Sequence, residues 1–72
     1  MKNNSIIDLV WELGDILSSK ENISNSNMGY INISNTNSLL KNQISDIWKL
    51  RDTYSSIKRI ESYNNNMVIR LQ

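Results

Sequence analysis

The chain has 72 residues and a formal net charge of +1, and it contains no Cys, His, Pro, Phe or Ala. That length allows one small domain spanning residues 1–72, in which hydrophobic burial and lost chain entropy come close to cancelling, so a further stabiliser such as a second chain is expected. Without Cys or His there is no thiol or imidazole nucleophile, no histidine base and no ordinary zinc site, so we expect neither an enzyme nor a cofactor, metal or small-molecule substrate.

The polar start Met1-Lys2-Asn3-Asn4-Ser5 leads into acidic, interrupted apolar residues, unlike a signal peptide, and no apolar run reaches the 18 or so residues of a membrane span. A cytoplasmic protein without membrane contact is the expectation. Ser5 to Ser19 follow a helical period: Ile6, Leu9, Val10, Leu13, Ile16 and Leu17 gather on one face, with Asp8, Glu12 and Asp15 opposite. Ser5 is placed to cap this helix, with Asp8 at its third position near the positive end of the dipole. Gly14 lies mid-pattern, where a close approach by another backbone would explain it. Three carboxylates on one face could in principle meet a divalent cation, but no second cluster closes a cage, and a solvated acidic face is the simpler reading.

From Glu21 to Asn37 the pattern dissolves into Asn and Ser, and only Met28 to Ser34 alternates in the manner of a short strand. Asn37 or Ser38 then caps a second helix predicted to run to about Tyr63. Its apolar arc collects Leu39, Leu40, Ile44, Ile47, Leu50, Tyr54 and Ile57, with Trp48 on one edge. At 1.5 Å per residue it would be nearly 40 Å long, so part of it should project, bend near Ser55-Ser56, or pack on another chain. After Asn64-Asn65-Asn66, residues Met67 to Gln72 alternate as a terminal strand, and no internal repeat is visible.

The expected fold is therefore α+β in the order helix, strand, helix, strand, with two amphipathic helices on a minimal two-stranded sheet. If both strands pair across the second helix, a parallel βαβ unit results. An all-α helical hairpin is the alternative.

Trp11 and Trp48 sit on the edges of their helical arcs, as interface tryptophans do. Arg51 falls within an apolar arc, where it must either reach solvent or meet a carboxylate. A second copy is expected either to extend the sheet across a symmetric edge or to meet Tyr54, Ile57 and Ile60 on the projecting half of the long helix. These six residues are the candidate partner-binding set.

Residues from Asn22 onward carry a net charge of +3 and those before it −2. That asymmetry suits either phosphate contacts or a head-to-tail match between protomers, whereas the lack of catalytic residues, the marginal core and the edge tryptophans favour a small protein-binding module, with a homodimer or a protein partner, over the alternative of a dimeric nucleic-acid binder using the basic second helix. The wealth of Asn, Ser and Ile with no Ala or Pro suggests an AT-rich genome, and a regulatory or inhibitory protein of a phage or mobile element fits that source.

Overall fold

The computed structural model describes residues 5–26 and 29–72. Helix α1 spans Ile6–Leu17, strands β1 and β2 span Ile23–Ser26 and Tyr30–Ser34, and a 3-10 turn covers Thr36–Ser38. Helix α2 follows over Lys41–Thr53, then strands β3 over Ile57–Tyr63 and β4 over Asn66–Leu71. The α+β class holds. The sheet, however, has four strands in the order β1-β2-β4-β3, and every neighbouring pair is antiparallel. No helix among the described residues is long and apolar enough to cross a membrane.

Helix α1 starts as its sequence implies, because Ser5 is extended and its hydroxyl accepts the Asp8 N–H at 3.2 Å. Ser18, in the left-handed region at φ 60°, ends it. The start of α2 departs from expectation. Asn37 and Ser38 belong to the 3-10 turn, and the cap position is Leu40, whose N–H donates to Gln43 Oε1 at 2.8 Å. Gln43 also donates from Nε2 to the Ile16 carbonyl at 3.1 Å, tying the start of α2 to the end of α1.

The largest correction concerns the second helix. It stops at Thr53, because Tyr54 is extended (φ −113°, ψ 116°), so α2 is about 20 Å long and has no projecting half. Ile57 to Tyr63 form β3 instead. A strand ordinarily turns alternate residues to one face, yet Ile57 and Ile60, three apart, both reach the core. A register shift between Ile57 and Arg59 inserts the extra residue that permits this. Helical spacing in the sequence was thus produced by a bulged strand.

Strands β2 and β4 do pair, as the βαβ expectation had it, but antiparallel. The reversal comes from β3 and the two-residue Asn64-Asn65 connection, which turns the chain once more before β4. Asn65 adopts φ 62°, and its side chain accepts the Asn37 N–H at 3.1 Å while its carbonyl accepts the Thr36 N–H at 3.2 Å. The Asn-rich segments are therefore latched together across the sheet end. Met28, the expected first residue of the middle strand, lies outside the described residues, whereas β1 was not foreseen.

One face of the sheet is covered by the two helices. Ile31 and Ile33 of β2, Met67 and Ile69 of β4, and Ile57 and Ile60 of β3 meet Leu9, Leu13, Ile47, Leu50 and Tyr54 in one buried cluster. The other face carries Tyr30, Asn32 and Ser34 alternating with Asn66, Val68 and Arg70. A two-fold repeat also emerges. Each half is a helix followed by an antiparallel hairpin, and exchanging the halves leaves the strand order unchanged. Under that exchange Ile31 corresponds to Met67, Ile33 to Ile69 and Ile23 to Ile60, all on the helix-covered side. The residues match in role and seldom in identity, which hides the repeat in the sequence.

Candidate docking surface

Of the six sequence candidates, three belong to the interior of this chain. Tyr54, Ile57 and Ile60 are buried beneath α2 and β3 and are not placed to meet a partner. The Tyr54 hydroxyl donates to Glu12 Oε2 at 2.5 Å, and burial together with that carboxylate pushes its pKa up to about 12. Glu12 is thereby engaged with the end of α2, where the charge of Asp8 also acts on the hydroxyl, while Asp8 and Asp15 remain exposed. Among the described residues no group of three carboxylates is placed to hold a metal ion.

Trp48 is half-buried against the core, and Arg51 lies exposed over it, its Cζ 5.5 Å from the indole centroid. The guanidinium reaches solvent along the aromatic face, which resolves the charge in the apolar arc without burying it.

Trp11 stands out. It is 59% exposed, and on the same side of α1 Ile7 is 70% and Ile6 39% exposed. Ile6, Ile7, Val10 and Trp11, with Asn25 of β1, line an open cleft of about 180 Å³ between the first turns of α1 and the sheet edge. Beyond Trp11 a second hollow is lined by Gly14, Asp15, Ser18 and Lys20. The Lys20 ammonium sits 3.1 Å from the Trp11 ring centroid, and its stem crosses Gly14. A Cβ on Gly14 would come within 3.1 Å of Lys20 Cγ, so a side chain, not a second backbone, occupies the space that the glycine leaves.

Among the described residues, the strand below this cleft is an open edge. Ser34 N–H donates to the Asn22 carbonyl at 2.9 Å, which sets the alternation along β1. Backbone groups of Asn22 and Ser24 turn to β2, and those of Ile23 and Asn25 turn outward. The Ile23 N–H is satisfied by the Lys20 carbonyl at 3.1 Å. The Ile23 carbonyl and both backbone groups of Asn25 thus face the free edge. The sequence pattern sets Trp11 at the helix edge in line with Ile7, but it counts Ile6 into the core arc and so misses its exposure. It misses Asn25 too, since a strand with a single apolar residue gives no periodic signal.

The opposite edge, β3, is built differently. It carries Lys58, Arg59 and Glu61 together with the bulge, the usual devices by which an edge strand repels another strand. Glu61 accepts from the Tyr63 hydroxyl at 2.5 Å and pairs with Arg59 at 2.7 Å and Arg70 at 3.3 Å. These contacts hold its carboxyl below the usual range, the Tyr63 hydroxyl contributing most. Arg70 also stacks over Tyr30 at 5.4 Å, so the sheet face opposite the helices gathers two arginines and two tyrosines around Glu61. Comparison of the chain with family models, curated proteins and solved structures gives no match.

Proposed function

We propose that the chain is a non-enzymatic protein-binding module that docks through the outer edge of α1. The observation that carries this reading is the contiguous exposure of Ile6, Ile7 and Trp11 beside an uncharged, open strand edge. Single exposed apolar residues are ordinary, but a cluster with a large aromatic at its centre has the composition of an interface hot spot. A regulatory or inhibitory role in a phage or mobile element accords with the composition of the chain, and the cytoplasm is the compartment such a role would use. Co-purification from the cells that encode the protein tests the reading, with Ile7→Lys/Trp11→Lys as the comparison. A stoichiometric companion lost from the double variant and kept by Lys41→Gln/Lys49→Gln supports it, and identical companions for all forms overturn it.

One observation favours a second reading, binding of single-stranded nucleic acid, and moves it from α2 to the sheet. The uncovered face brings Arg59 and Arg70 together with Tyr30 and Tyr63, and Glu61 is the carboxylate between them. Cations that contact phosphates and aromatics that stack on bases are the elements of such a platform. On α2, Lys41, Lys49 and Arg51 alternate with Asp46 and Asp52. Anisotropy of a labelled oligonucleotide decides. Affinity that falls steeply with salt and weakens in Arg59→Gln and Arg70→Gln favours this reading, and no binding at low salt removes it.

A further inference from the structure

We infer that the occupant of the α1 and β1 surface is a second copy of this chain, joined by antiparallel pairing of β1 with its own symmetry mate about a two-fold axis at Asn25. This rests on the docking reading above and names its partner. Three observations converge on it. The first is the backbone: Asn25 turns its N–H and its carbonyl outward, and in an antiparallel pair two such residues placed opposite each other satisfy both groups reciprocally. The edge is self-complementary at that point, as a two-fold contact requires.

The second observation is the contrast between the two edges. Lys58, Arg59, Glu61 and a bulge guard β3, while Ile23-Ser24-Asn25-Ser26 has neither charge nor bulge. Among the described residues, only β1 of the two edges is left open to pairing.

The third is what such pairing would do with the apolar cluster. A two-fold axis normal to the sheet keeps both helix layers on one side, so the two α1 helices would flank the seam. Asn25 faces the helix side, in the row of Ile31, Ile69 and Ile60, and lines the cleft under Ile6, Ile7 and Trp11. Both clefts would then open onto the seam, where Ile7 and Trp11 of one protomer meet those of its partner. The chain already makes one joint of this kind internally. Its two helix-hairpin halves meet through the antiparallel β2 and β4 pair, with α1 and α2 packed together above. The inferred dimer repeats that joint between chains and extends the sheet to eight strands.

Light scattering from about 1 µM to several hundred micromolar tests the inference, because an interface at the small end of specific ones is expected to dissociate within that range. The expected result is a mass that doubles with concentration, with the Asn25 amide gaining at least tenfold protection from hydrogen exchange as it does so. Ile7→Lys changes a side chain already 70% exposed, so the protomer should keep its fold while the dissociation constant rises at least tenfold. Lys49→Gln on α2 should leave that constant unchanged. A monomeric mass at every concentration overturns the inference, as does a dimer whose Asn25 amide exchanges freely or that tolerates Ile7→Lys. The docking reading is judged separately: a monomer that still holds a heterologous protein through Ile7 and Trp11 would remove the second copy and leave that reading standing.

Discussion

At the scale of single residues, two interactions fix side chains that composition alone would leave unassigned. The Tyr54 hydroxyl, bound to Glu12, has its pKa raised from 10.0 to about 12, so the folded state prefers the neutral phenol. Stability from this group is fully present below pH 10, the unfolded value, and is lost as the pH rises through 10 towards 12. Tyrosinate absorbance followed against pH should show a late step near 12 that is missing in Tyr54→Phe. Gly14 offers a test of opposite sign. The Cβ of Gly14→Ala meets only the flexible stem of Lys20, and alanine gains up to about 1 kcal/mol of helix propensity. We therefore expect equal or slightly higher stability in urea, together with altered Trp11 fluorescence as Lys20 is pushed from the ring. A loss above about 1 kcal/mol would show that the Lys20 stem cannot yield.

At the scale of elements, the turn between β3 and β4 concentrates the chemistry of the Asn run. Asn65 adopts φ 62°, and its side chain also bonds the Asn37 N–H. Asn65→Gly keeps the backbone freedom and loses only the latch, about 1 kcal/mol, whereas Asn65→Ala loses the latch and adds about 1–2 kcal/mol of left-handed strain. Denaturant midpoints should rank Asn, then Gly, then Ala, and an alanine variant equal to glycine would show that the turn relaxes.

The same scale explains what the sequence made legible. Helix α1, with its cap and its buried face of Leu9 and Leu13, was readable because one period and one hydroxyl decide it. Strands β2 and β4 were readable by alternation. Strand β3 was not, since the bulge placed Ile57 and Ile60 at helical spacing in continuation of Ile47, Leu50 and Tyr54. No proline or glycine marks the break at Thr53, and with α2 overextended, three of the candidate partner residues were assigned to a surface that does not exist. Trp11 does lie exposed at the edge of its helix, as its place in the pattern implies.

At the scale of the whole molecule, the described fold reproduces the burial that length alone implies. A monomer of 8.4 kDa should expose roughly 4,600 Å², and this chain exposes 4780 Å². One chain therefore buries about what a compact monomer does, and a second copy would add to a formed core instead of completing a deficient one. That core is shared unequally between the halves. Leu9, Leu13, Ile31 and Ile33 come from the first, and Ile47, Leu50, Tyr54, Ile57, Ile60, Met67 and Ile69 from the second. Neither half can bury its apolar face alone, because β2 and β4 are the inner strands and each lies against the other. Two peptides made by dividing the chain after Ser38 should each be largely unfolded. Mixed at equal concentration they should recover the helix and strand signal of the intact protein in circular dichroism, with a midpoint that depends on concentration. The joint between them is the β2 and β4 ladder with Ile31, Ile33, Met67 and Ile69 above it, so Ile69→Ala, expected to lower intact stability by about 2–5 kcal/mol, should abolish recovery. A spectrum of the mixture equal to the sum of the separate peptides would show that the two-fold arrangement of halves does not assemble as units, and that continuity through the 3-10 turn and its Asn65 latch is needed to bring them together.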